Sequence, residues 1–177
     1  MKLKKILLAL PIMLVSLFSN AQALSNEESQ LYALIMKYRK ENGLPEIPLS
    51  AALTYVAQTH VKDLADNNPD TGRCNAHSWS ANGDWTPCCY TPDHAQAKCM
   101  WNKPRELTDY KGNGYEIAYW NSDKAKAAEA LASWKSSSAH HAVILNRGIW
   151  DDRWNAIGIG VYQQYAVVWF GKELDNK

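Results

Sequence analysis

Alternation of apolar and polar positions is clearest near the C-terminal end of the chain. In Ala156-Ile-Gly-Ile-Gly-Val161, three β-branched residues alternate with glycines, which predicts a strand whose glycine face is closely approached by another backbone. Tyr165-Ala-Val-Val-Trp-Phe-Gly171 is apolar throughout 166–170, as expected for a strand covered on both faces. A third strand is predicted at 114–119, with Tyr115, Ile117 and Tyr119 on one face and Glu116 on the other. A carboxylate amid apolar neighbours must reach water, as at a solvated edge, or have a partner.

Helical spacing fills most of the remainder. Ser25-Asn-Glu-Glu28 has the form of a capping box, and Leu31, Leu34, Ile35 and Tyr38 follow at intervals of three and four before Gly43 and Pro45 stop the helix. A second helix starts near Ser50, with Leu53, Val56, Ala57, His60 and Leu64 on one face, and ends at Asn67-Asn68-Pro69. His60 on that apolar face reads as a core histidine hydrogen-bonded to a neighbour. A third helix is expected from Ser122, turning Ala127, Ala128, Leu131 and Trp134 to the core. Past it, Ser137 or Ser138 is placed to cap a short helix carrying His140 and His141. Adjacent helical residues point some 100° apart, so only one of that pair is expected to face a common site.

Composition changes this picture in two places. Lys2, Lys4 and Lys5 precede an apolar run from Ile6 to Phe18, and Ala21-Gln22-Ala23 is a small-x-small cleavage sequence, so residues 1–23 read as a secretory signal peptide. Its removal leaves 154 residues, enough for one domain, and takes the net charge from +1 to −2. Nothing in that balance suggests a nucleic-acid partner, and the apolar run is short for a membrane span. The chain is expected to be exported, periplasmic or extracellular, and not an integral membrane protein.

The second place is 69–113, which lacks any long periodic segment yet holds all four cysteines, Cys74, Cys88, Cys89 and Cys99. In an exported chain these favour disulfides. A bridge between the adjacent Cys88 and Cys89 would be strained, which leaves Cys74 with one of them and Cys99 with the other. A zinc cluster is the rival reading, weakened by the absence of a Cys-x-x-Cys pair. Trp79, Trp85, Tyr90 and Trp101 in the same segment suit either a groove for a lipid, saccharide or peptide, or the segment's own small core. Asp151-Asp152-Arg153 reads as a solvated charged loop.

Ser-Ser-Ala-His140-x-x-x-Ile-Leu, then Ile-Gly-Ile-Gly-Val, then an apolar strand ending Phe-Gly, resembles the C-terminal half of bacterial domains of the CAP superfamily (cysteine-rich secretory, antigen 5 and pathogenesis-related proteins). The resemblance covers nearly all of residues 24–177, as a single SCP-like domain with a cysteine-rich insert at about 70–113. It implies an α+β, three-layer α-β-α sandwich around a small, mainly antiparallel sheet, with a cleft of two His and one or two Glu. Residue by residue, the family's motifs fall on His77 in Asn75-Ala-His77-Ser78, on Glu116 and on His140. Tyr115 and Ile117 replace the Gly and Asn that usually flank the Glu. Lys135-Ser-Ser replaces a second Glu found in many eukaryotic members, and the insert is not general to the family. The family also often has His at position 60 without its belonging to the cleft.

Two imidazoles and one carboxylate suit Zn²⁺ or a similar divalent cation, with coordination positions left open. The same trio also suits a general acid–base pair or a polar network that only fixes packing. A nucleophilic Ser137 or Ser138 is disfavoured, since both are already explained as caps and no Gly-x-Ser-x-Gly elbow exists. The expectation is therefore a binding protein with a cleft of His77, Glu116 and His140. A metal-assisted hydrolase or a lipid- or sterol-binding module are the alternatives.

Overall fold

A computed structural model describes residues 23–175. The expected leader, apart from Ala23, lies outside them. In chain order the elements are α1 (Asn26–Glu41), α2 (Ala51–Asn67), α3 (Ala97–Trp101), α4 (Lys103–Leu107), β1 (Tyr115–Trp120), α5 (Ala127–Ser136), α6 (Ser138–Ile144), a single 3₁₀ turn (Gly148–Trp150), β2 (Ala156–Tyr162) and β3 (Tyr165–Gly171). No helix among the described residues is long and apolar enough to cross a membrane.

The sheet is antiparallel with order β1-β3-β2, so the fully apolar strand is the central one. Its two sets of side chains feed two separate cores. Ala166, Val168 and Phe170 join Ile117, Ile157 and Ile159 against α1, α5 and α6. Val167 and Trp169 join Ala156 against α2 and the insert. This is the expected α+β sandwich, and it explains why β3 could not alternate in polarity.

The glycines of β2 have the predicted role. A Cβ on Gly158 would lie 2.1 Å from the Leu53 carbonyl carbon, and one on Gly160 would lie 2.4 Å from the Ala57 carbonyl oxygen. The backbone of α2 therefore rests directly on β2 along one helical turn.

The capping box of α1 is present in both directions, with Ser25 N–H donating to Glu28 at 2.7 Å and Glu28 N–H to Ser25 Oγ at 3.3 Å. Ser50 caps α2 through Leu53 N–H at 2.9 Å. Three local expectations fail. Ala128, expected at the core, is exposed, and Ala130 packs there beside Ala127, Leu131 and Trp134, because the burial face of α5 runs 127-130-131-134. The third helix begins at Ala127, not Ser122, because the chain keeps pairing with the β2–β3 hairpin: Asn121 N–H donates to Gln164 O at 2.9 Å, and Ala125 N–H to Gln163 O at 2.8 Å. Its first amide, on Ala127, is capped from α1 by Glu27 at 2.9 Å. Ser137 does occupy the N-cap position of α6, but its side chain makes no capping bond. That helix is instead fixed from outside. Buried Arg39 of α1 donates to Ile144 O at 2.5 Å, and Trp154 Nε1–H donates to Val143 O at 2.8 Å.

The insert folds around two disulfides, Cys74–Cys89 and Cys88–Cys99, among the pairings left open by the sequence. The adjacent cysteines thus tie the insert's start and its helix α3 to one short bridge-paired segment, Trp79↔Cys88. Disulfide mapping with backbone cleavage between Cys88 and Cys89 should return these two pairs and no alkylatable thiol. A Cys74–Cys88 peptide would overturn the assignment.

Candidate functional site

Glu116 lies on the edge strand β1 but is not solvated there. Its side chain is fully buried and each of its oxygens receives a ring nitrogen. His60 Nδ1 is 2.6 Å from Oε1, and His77 Nδ1 is 2.8 Å from Oε2. Burial pushes the Glu116 carboxyl up, but the charge and hydrogen bonds of His60 and His77 outweigh it and hold it below the usual carboxylate range.

His77 is aimed by its own loop. Asn75 Oδ1 accepts from His77 N–H at 3.0 Å in a local Asx turn, and Ser78 N–H donates to Asn75 O at 2.9 Å. A carboxylate can only accept, so His77 donates through Nδ1–H to Glu116, and its Nε2 is left for the cleft. His140 enters the same cleft from α6. Its side chain makes no hydrogen bond to another described residue. Burial, followed by the proximity of His77, pushes its imidazolium down and favours the neutral ring. His141 points elsewhere, with Nε2 2.7 Å from Tyr38 Oη on α1, so one histidine of the pair faces the cleft.

The cleft has a volume of about 500 Å³. One wall comes from α6 and the turn after it, including Val143, Ile149 and Trp150. The opposite wall is supplied by the insert, through Tyr90, His94, Met100 and Trp101. The four insert aromatics therefore divide. Tyr90 and Trp101 border the cleft, whereas Trp79 is buried against His60 and Trp85 packs on Trp79, so these two form part of the insert's core. Sequence reasoning missed His94, which reaches the cleft from a backbone at φ +57° and meets Tyr90 Oη through Nδ1 at 2.9 Å. No periodic signal exists in that loop to reveal it.

A model of the cysteine-rich secretory protein family, CAP, matches residues 32–170. The chain belongs to this family. No curated protein sequence matches it. Among solved structures, this CAP domain is similar to an outer surface protein of Borrelia burgdorferi, with 17% identity and a TM-score of 0.56, covering 84% of this chain and 94% of that one. It is similar to an extracellular SCP-domain protein of Bacillus anthracis str. Ames at 19% identity and TM-score 0.56, covering 83% of this chain and 40% of that one. A cysteine-rich secretory protein of Staphylococcus aureus Mu50 gives 17% identity and TM-score 0.53, covering 84% of this chain and 39% of that one. The chain thus spans about 40% of the length of the latter two. At such identities the likeness establishes the fold.

Lys135 of α5 lies with its Nζ 4.3 Å from the centre of the Tyr38 ring. Among the described residues no three His, Cys, Asp or Glu groups gather as a ready-made cation site. The donor set still fits an exchangeable divalent cation in part. Two imidazoles are available, and one is oriented by a carboxylate through its other nitrogen, the usual support of a metal-bound histidine. Glu116 fits as that support rather than as a ligand, since both of its oxygens are engaged.

Proposed function

We propose that this CAP domain is exported and acts by binding a ligand in the cleft between α6 and the insert, with His77 and His140 at its polar end. One observation carries the reading. His77 turns Nε2 to the cleft, and His140, with no side-chain hydrogen bond among the described residues, enters the same 500 Å³ cleft, whose other walls are mostly apolar and aromatic. The occupant this favours has an apolar body lying against Trp101, Met100 and Trp150, and a polar end that meets two imidazoles. His77 and His140 would also hold a divalent cation such as Zn²⁺, with solvent or the ligand completing its shell. Bound there, a cation would supply Lewis-acid polarisation of the ligand's polar end. Export is supported by the two disulfides, which persist in oxidising compartments, and by the extracellular or outer-surface descriptions of two of the structural neighbours.

Zn²⁺ titration of the wild type and of a His77→Ala, His140→Ala double variant, with a melting curve for each, tests this. Wild type should bind above pH 7, and the double variant should not bind while keeping a cooperative melt. Affinity should fall with pH, because protons compete for the imidazole nitrogens in the range near 6.5. Burial lowers His140, so its share of that loss should come at a lower pH than for an exposed histidine. Absence of binding by wild type together with a large loss of stability in the variant would leave the pair as packing only. Turnover of an ester or peptide that is lost on chelation and restored by metal would move the reading to a hydrolase.

A further inference from the structure

Behind the cleft, His60 is fully buried on α2, and both of its ring nitrogens face acceptors. Nδ1 is 2.6 Å from Glu116 Oε1, and Nε2 is 2.9 Å from the Ser78 carbonyl oxygen. The geometry points to His60 as a buried imidazolium and a positioning residue for the cleft: it holds Glu116 as a carboxylate, and through it sets His77 with Nδ1–H inward and Nε2 outward.

A neutral imidazole carries a single N–H. If that N–H went to Glu116, the Nε2 lone pair would face the Ser78 carbonyl at 2.9 Å, with nothing between the two acceptors. If it went to Ser78, the Nδ1 lone pair would face Glu116 at 2.6 Å, and the carboxyl would have to bring the proton. The pair therefore keeps one proton more than a carboxylate and a neutral ring would have together.

Two surroundings place that proton on the ring. The imidazole is stacked on the indole of Trp79, with centroids 4.2 Å apart and planes within 4°, a face that attracts a cation. On its other oxygen Glu116 accepts the His77 N–H at 2.8 Å, and two N–H donors on one carboxyl favour its charged form. Other charged groups nearby have partners of their own. Lys103 of α4 lies 5.4 Å from the centre of the Trp79 ring and is ion-paired with Glu106. Asp63 of α2 is taken by Ser80, through the backbone N–H at 2.8 Å and the hydroxyl at 2.5 Å. Tyr90, from the insert, is kept as the neutral phenol by burial and by the Glu116 charge. Glu116 and His60 then form a net-neutral unit, the condition on which a buried charge is tolerated.

The role assigned to His77 rests on the proposed function, but the protonation state of His60 does not. Long-range ¹H–¹⁵N spectra of the metal-free, ¹⁵N-labelled wild type at pH 7.5 should show both His60 nitrogens protonated and His77 as the Nδ1–H tautomer. An unprotonated nitrogen on His60 would overturn the proposal, since the proton would then sit on Glu116 or be absent. His60→Gln carries both of its N–H donors on one nitrogen, which cannot span two acceptors that the ring reaches from separate nitrogens. In it the His77 signals should lose the single-tautomer pattern, and Zn²⁺ affinity should drop by roughly 10-fold. An unchanged His77 tautomer in a folded His60→Gln protein would refute the positioning role. Should that variant not fold, the wild-type spectrum still decides, and a wild type that binds no Zn²⁺ would count against the proposed function alone.

Discussion

Trp134→Ala should lower folding stability by about 3–5 kcal/mol, the range for emptying a fully buried aromatic site. The ring has no solvent exposure and lies in the core between α1, α5 and the sheet. It also does polar work, because its Nε1–H donates to the Ala118 carbonyl of the edge strand β1 at 3.0 Å. Alanine would leave a cavity and, beneath it, a carbonyl that faces no other strand, since β1 has a neighbour on one side only. Urea denaturation of the variant measures the loss, and a change below about 1 kcal/mol would mean that the α5 face is not packed as described. The same contact reaches the cleft. Trp134 ties α5 to the strand bearing Glu116, and α6 with His140 follows α5 directly. The variant should therefore bind Zn²⁺ less well than its folded fraction alone would account for.

How much of this was legible in the sequence depended on whether a feature is set locally. The glycine alternation of β2, the unbroken apolar run of β3 and the capping box of α1 are written in neighbouring residues, and each is present. The α5 boundary was missed because it is fixed across the fold, by Glu27 of α1 and by the β2–β3 hairpin. The α6 cap failed for a related reason: the helix is held at its far end by Arg39 and Trp154.

In the cleft, the three residues carried by motif, His77, Glu116 and His140, do come together. His60 was expected to be a buried, hydrogen-bonded histidine outside the cleft, and buried and hydrogen-bonded it is. That its partner would be Glu116 itself could not be read from helical spacing, which says which face a residue occupies and not what stands opposite. His94, in an aperiodic insert held by disulfides, had no such signal at all.

Gly158→Ala is expected to be the most damaging single methyl addition in the sheet. The new Cβ would sit 2.1 Å from the Leu53 carbonyl carbon and 2.2 Å from its oxygen, and these are backbone atoms of α2 that no rotamer change can move aside. Relief requires the helix and β2 to separate. Overpacking of this kind costs about 1–3 kcal/mol, and the upper end is expected here because a whole helix must shift. Alanine's better strand propensity works the other way, but such preferences span only about 1 kcal/mol and do not compensate. The displacement also has a chemical consequence. His60 lies about two turns along α2 from Leu53, so lifting the helix lengthens its 2.6 Å contact with Glu116. Gly158→Ala should therefore show both a lowered melting temperature and a disturbed His60 signal in the ¹⁵N spectrum. The control is Ala156→Gly, on the same strand and the same face, which removes a methyl instead of adding one and should leave the His60 signal in place. Equal disturbance by both would mean that general loosening of β2, and not the close approach of α2 at Gly158, governs the His60–Glu116 contact.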